Sequence, residues 1–249
     1  SGDIDNRIGK GAQKEAMQEG SRMHRKIQGR MGMEYRAEVP LKLEVPQEQY
    51  VLALEGRADG IITNADGVTV DEIKCMYTDV TRFEEPIFVH KAQAMCYAYI
   101  YALQNGLDQI SVQLTYCDLD TEEIRRLQES FSFFWLERWF QDMIEAYRKW
   151  TDFQFAWRKI RQASIQTLEF PFPYRDGQRK LVGDVYRTIN RKKILFIQAP
   201  TGTGKTISTL FPAIRAVGEN LGDKIFYLTA KTITRTVAKD TCDLLKAHG

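Results

Sequence analysis

The run "YVLALEGRADGIITNADGVTVDEIKC", Tyr50 to Cys75, constrains the fold more than any other stretch of this chain. Two segments of β-type residues flank Asn64-Ala65-Asp66-Gly67, a set of residues suited to a hairpin turn. A strand sends successive side chains to opposite faces. Val68, Val70, Glu72, Lys74 and Met76 therefore share one face of the second strand, and Thr69, Asp71, Ile73 and Cys75 share the other. A carboxylate and an amine two residues apart point the same way. Adjacent strands lie about 4.8 Å apart, so Asp59 on the first strand can converge with Glu72 on the second. Asp71 is expected to face away from that pair.

The rest of the chain reads as two different α/β patterns. Residues 10–30 predict an N-terminal helix, and "MEYRAEVPLKLEVPQEQY" predicts short strands broken by Pro40 and Pro46. "EEPIFVHKAQAMCYAYIYALQNG" predicts a helix with Pro86 in its first turn and Gly106 after its end, and "LDQISVQLTYC" a strand. From Thr121, apolar residues recur at helical spacing (Ile124, Leu127, Phe131, Phe134, Trp135, Trp139, Ile144, Tyr147, Trp150), which predicts a long helix to about Arg161. Its aromatic stripe is expected to pack against a core or a second domain. "TLEFPFPYRDGQ" reads as a linker. After it come a helix from Gln178 to Asn190, an apolar strand "KILFIQA", a Gly-rich turn, a helix and a strand "KIFYLTA", the opening of a parallel α/β domain.

Charge divides at the same place. Residues 1–165 carry 21 Lys+Arg against 26 Asp+Glu, or −5, and residues 166–249 carry 14 against 7, or +7. The second part is therefore biased toward polyanions. Cys75, Cys96, Cys117 and Cys242 form no C-x-x-C pair, which argues against a disulfide framework or a self-contained zinc site and fits a reducing, cytoplasmic setting. No apolar run approaches the roughly 20 residues that span a bilayer, so no membrane partner is expected.

"DEIK" alone is a common pattern of exposed strand faces. Asp59 gives it chemistry, because two converging carboxylates suit a hard cation such as magnesium or manganese, with a backbone carbonyl and waters completing the shell. Lys74 then sits where it can orient a water or offset charge developing on a phosphate.

These residues resemble the PD-(D/E)XK nucleases of the RecB-like branch. The resemblance covers roughly residues 1–120 and rests on four parts: His24 in "EGSRMHRKIQ", Asp59 in "GRAD", Glu72 and Lys74 in "DEIK", and Gln93 and Tyr97 in "QAMCY". It implies a restriction-endonuclease-like domain, a mixed sheet flanked by helices. It also implies a metal held by Asp59, Glu72, the Ile73 carbonyl and His24, with Lys74 at the attacking water. Gln93 and Tyr97 would position the strand, and His90 lies on the same helix face. With no Cys before Cys75 and no Cys cluster after the last strand, an iron–sulfur cluster is not expected within this domain.

"ILFIQAPTGTGKTISTL" carries a second chemistry. Glycines let backbone amides wrap phosphates, and the helix start favours negative charge. Thr201, Gly202, Thr203 and Gly204 form this loop, Lys205 reaches the β/γ-phosphates of ATP, and Thr206 binds its magnesium. "FPFPYRDGQRKLV" resembles the adenine-reading segment of superfamily-two helicases, with Gln178 as the adenine contact. "IFYLTAKTITRTVA" is similar to their next motif, with Thr229, Lys231 and Thr232 as phosphate contacts. The branch resembled is the DinG/XPD type, in bacterial members with an N-terminal RecB-like nuclease. It implies a cluster-bearing insert further along the chain, which Cys242 alone does not establish.

The expected organisation is a nuclease core over 1–120, a helical connector over 121–165 and the beginning of a RecA-like motor over 166–249. No acidic D-E-A-H-like motif follows the loop, so the chain reads as a fragment of a helicase–nuclease that does not itself unwind DNA. The expected partners are ATP and DNA, single-stranded or with single-stranded tails; DNA over RNA rests on the resemblance. Two functions remain open: a metal-dependent deoxyribonuclease in DNA repair or recombination, or a catalytically weak nuclease fold that grips DNA and positions the motor.

Overall fold

The computed structural model describes residues 10–200, 202–230 and 232–248, with side chains for all of these except 10–17 and 232–234. The chain divides into two compact units, Ser1–Arg148 and Lys149–Gly249.

The first unit is built on a five-stranded mixed sheet in the order β1-β2-β3-β4-β5. Helix α1 (Lys10–Gln28) precedes β1 (Tyr35–Pro46), β2 (Val51–Asn64) and β3 (Gly67–Met76), which form an antiparallel meander. The hairpin turns at Asn64 and Gly67, which are register partners, and Gly67 takes the positive φ of 120° that the turn requires. Pro40 does not break β1: an edge strand has one side with no ladder to complete. A short 3-10 turn (Val80–Arg82) and α2 (Phe88–Asn105) lead to β4 (Gln109–Asp118), which lies parallel to β3. Gly106 ends α2 in a left-handed conformation, with its N–H bonded to the Ala102 carbonyl.

The structure corrects the long helix expected from Thr121. Ile124–Ser132 is strand β5, antiparallel to β4, and α3 runs from Phe133 to Gln166. The sheet buries both faces, which accounts for the misleading spacing. Leu127 and Phe131 pack on the face covered by α2 and the start of α3, together with Val70, Leu114, Tyr116, Leu136 and Phe140. Ile124 packs on the opposite face with Met23 and Ile27 of α1, Ile73 and Cys117. Apolar residues at 124, 127 and 131 thus serve two layers and mimic one helical stripe.

In the second unit, α4 (Gln178–Asn190), α5 (Lys205–Gly218) and α6 (Thr232–Ala247) gather around Leu168, Val182, Phe211 and Leu245. The expected strands "KILFIQA" and "KIFYLTA" form no ladder among the described residues. A strand is defined by a hydrogen-bonded neighbour, and here one face of each segment meets no second layer. Ile194 and Phe196 are 85% and 92% exposed, and Phe226 and Leu228 are 81% and 89% exposed. No helix among the described residues is long and apolar enough to cross a membrane.

Candidate active site

The site forms where β2 and β3 part. Their ladder ends at Gly60↔Asp71, after which β3 continues only against β4. Continuing the register sets Asp59 opposite Glu72. The parting frees the backbone N–H of Ile73, and Asp59 Oδ2 accepts it at 2.7 Å. A backbone donor that would otherwise be orphaned is satisfied, and Asp59 is fixed against the neighbouring strand.

Glu72 is 2% exposed. Its Oε1 lies 2.9 Å from Lys74 Nζ, and its Oε2 is buried with no hydrogen-bond partner. Burial, followed by the negative charge of Asp59, pushes the Glu72 carboxyl up to about 7. Burial also raises Asp59, partly offset by the N–H of Ile73. Two desolvated carboxylates side by side favour any arrival of positive charge.

Lys74 Nζ also donates to Gln93 Oε1 at 3.1 Å, and Gln93 Nε2 donates to the Tyr97 hydroxyl at 3.3 Å. Gln93 and Tyr97 stand one turn apart on α2, so the helix presents both to the strands. On α1, His24 Nδ1 lies 3.7 Å from Asp59 Oδ1. Helix α1 is held by Met23 and Ile27 in the core, by Gln28 Nε2 donating to the Asp59 carbonyl, and by a Lys26–Glu122 ion pair. The structure therefore brings His24, Asp59, Glu72, Lys74, Gln93 and Tyr97 together from four elements.

Asp71 lies on the opposite face, as its parity requires. It is fully buried and accepts from Tyr35 Oη (3.1 Å), Gln113 Nε2 (2.9 Å) and Thr115 Oγ1 (2.5 Å). Sequence reasoning missed this network, along with the reason for Gly56. A Cβ on Gly56 would sit 2.6 Å from Tyr97 Cε1, so the Tyr97 ring occupies the space a side chain would take. The available signal was a glycine inside a strand pattern, which marks close approach of another group.

Among the described residues, no group of three His, Cys, Asp or Glu side chains converges as a metal-holding cluster. The donor set still suits a hard cation: two carboxylates, one with an unpartnered buried oxygen, beside a strand residue whose backbone faces the gap.

In the second unit, Gly202 and Gly204 take positive φ values of 85° and 75°, and α5 starts at Lys205. Lys205 Nζ donates to the carbonyls of Ala199 (2.8 Å) and Pro200 (2.5 Å), and Thr203 Oγ1 donates to that of Pro200 (2.9 Å). Gln178 abuts this loop: its Nε2 lies 2.5 Å from the place a Cβ on Gly204 would occupy, and its Oε1 accepts from the Arg175 N–H. Thr206 stands in the first turn of α5, and Thr229 in the irregular segment before residue 231. Thr201 and Lys231 lie outside the described residues, and so does the side chain of Thr232.

No family model matches the chain. It is 40% identical over 47 residues to a probable ATP-dependent helicase of Methanocaldococcus jannaschii. That match covers 18% of this chain and 7% of that protein, and supports a helicase link. The crystal structure of SSO0001 aligns over 54% of this chain and 63% of its own length, at 20% identity and a TM-score of 0.37.

Proposed function

We propose that the first unit is a metal-dependent deoxyribonuclease of the RecB-like PD-(D/E)XK type, joined to the nucleotide-binding start of a DinG/XPD-type DNA helicase. One observation carries the nuclease reading. The buried carboxyl of Glu72 feels the negative charge of Asp59, with Glu72 Oε2 unpartnered and a lysine amine 2.9 Å from Glu72 Oε1. Ligand roles fall to Asp59, Glu72 and the carbonyl of Ile73, which projects to the same side as its N–H, with His24 next to Asp59. Magnesium or manganese bound there would supply a Lewis acid for the scissile phosphate and acidify a water.

The remaining work belongs to the chain. Lys74 gives hydrogen bonds to the attacking water and offsets charge on the phosphate. Gln93 holds Lys74 in place, and Tyr97 anchors Gln93. In the second unit, the loop over 199–206, with Lys205 and Thr206, takes ATP with magnesium, and Gln178 reads the adenine. An iron–sulfur cluster belongs to neither unit in this reading.

The test is cleavage of end-labelled single-stranded DNA by the full chain with magnesium, manganese or EDTA, beside Glu72→Ala and Lys74→Ala. Metal-dependent cutting should fall at least about 100-fold in both variants, with DNA binding retained. A wild-type chain that binds DNA but cuts under neither metal would instead favour the weak-nuclease binding module.

A further inference from the structure

We infer that the exposed aromatic stripe on the second half of α3 is a docking surface for single-stranded DNA, with Trp150, Phe153 and Trp157 as platforms for its bases. The inference rests on DNA being the partner, as proposed above, and not on its being cut. The apolar stripe expected along this helix divides in two. Its first half packs as expected: Leu136 and Phe140 are buried, and Trp139, Met143 and Ile144 lie against the core. In the second unit the stripe continues at Trp150, Phe153, Trp157 and Ile160, and each of these is more than half exposed. Steps of three, four and three residues keep the four on one helix face. A contiguous apolar face left to solvent marks a binding surface.

Charge names the occupant. Residues Lys149–Gly249 carry 18 Lys+Arg against 8 Asp+Glu, or +10. From residue 149 to its end, α3 holds Lys149, Arg158, Lys159 and Arg161 against Asp152 alone. Arg158 and Arg161 share one carboxylate, Asp223, each at 3.5 Å, so two positive charges meet one negative. Lys149 Nζ lies 5.5 Å from the centroid of the Trp150 ring, which sets a charge for a phosphate beside a platform for a base. A second copy of the chain would bring the same positive charge to this face, and like charges oppose such pairing. A polyanion with open π-faces is drawn to it instead.

The strand must be single, because a duplex hides the faces of its bases in its own stack. Along the helix the rings rise about 4.5 Å from Trp150 to Phe153 and about 6 Å from Phe153 to Trp157. Both steps exceed the roughly 3.4 Å between nucleotides of a stacked strand. Successive rings therefore meet the bases of a partly extended one.

The experiment uses the full chain in EDTA and reads the anisotropy of a labelled thymidylate strand, beside an abasic strand of the same length. Trp150→Ala with Trp157→Ala should weaken thymidylate binding at least about 10-fold and abasic binding less than about 2-fold, because only the first strand has bases to stack. Trp150→Tyr with Trp157→Tyr keeps the rings and should bind within about 3-fold of wild type, which covers the case in which the alanine pair does not fold. Lys149→Gln should lower the slope of log affinity against log salt by about 0.7, one phosphate contact on a single strand. Unchanged thymidylate binding in the alanine pair would overturn the inference, as would an equal loss on the abasic strand or no binding by wild type. So would a wild-type dimer in sedimentation that the alanine pair turns to monomer, since the face would then belong to a second copy. Failure of the nuclease reading looks different: a wild type that binds the strand but cuts it under neither metal leaves this comparison intact.

Discussion

At the scale of single residues, the controlling quantity is the free energy of placing Glu72 against Asp59. The folded chain holds the Glu72 proton up to about 7, against 4.5 for the ordinary side chain. A carboxyl raised by folding contributes its full stability below the unfolded value and loses it as pH climbs through the folded one. Between those limits the loss is roughly 1.4 kcal/mol per pH unit. Glu72→Gln removes a charge that the fold disfavours while keeping the shape. In EDTA, its melting temperature should equal or fall below that of wild type at pH 4 and exceed it at pH 8, and saturating manganese should restore wild type at pH 8. A difference between the two proteins that does not change with pH would mean that Glu72 is not desolvated as described.

At the scale of elements, the fork between β2 and β3 does the positioning, and the Tyr97 ring of α2 lies against β2 at Gly56. Gly56 is the test of that arrangement. Alanine there would press a methyl within 2.6 Å of the Tyr97 ring, so the ring must swing away and release Gln93. Gly56→Ala should destabilise the chain by about 1–3 kcal/mol and cut cleavage at least about 10-fold, and Gly56→Ala with Tyr97→Ala should recover stability relative to the sum of the single changes. Additive losses would show that the two do not meet. The hairpin and its facing were legible because a period of two assigns each side chain once the turn is placed. Strand β5 was not, since a sheet buried on both faces scatters its apolar positions. The Tyr35–Asp71–Gln113–Thr115 network was also hidden, because it joins β1, β3 and β4, whose order no local pattern states.

At the scale of the whole molecule, two chemistries lie in separate compact units, the carboxylate pair in Ser1–Arg148 and the Gly-rich loop in Lys149–Gly249. The loop was legible from its glycines and its lysine, because those residues act through backbone and short local reach. Its flanking strands were not realised, because a ladder depends on neighbours that a local sequence pattern does not supply. A ligand that binds only the folded form of a unit stabilises that unit by about 2.7 kcal/mol at a hundredfold excess over its Kd. Hydrogen exchange on the full chain can assign such protection to segments. Manganese should protect residues 56–76 and 90–97 and leave 175–209 unchanged, and Glu72→Ala should abolish the effect. Magnesium with ADP should protect 175–209 alone, and Lys205→Ala should abolish that. Protection of the first set by manganese in Glu72→Ala would move the cation away from the fork. No protection of the second set by nucleotide would leave the Gly-rich turn without its phosphate. Because each variant disables one ligand and spares the other, either assignment can fail without carrying the other with it.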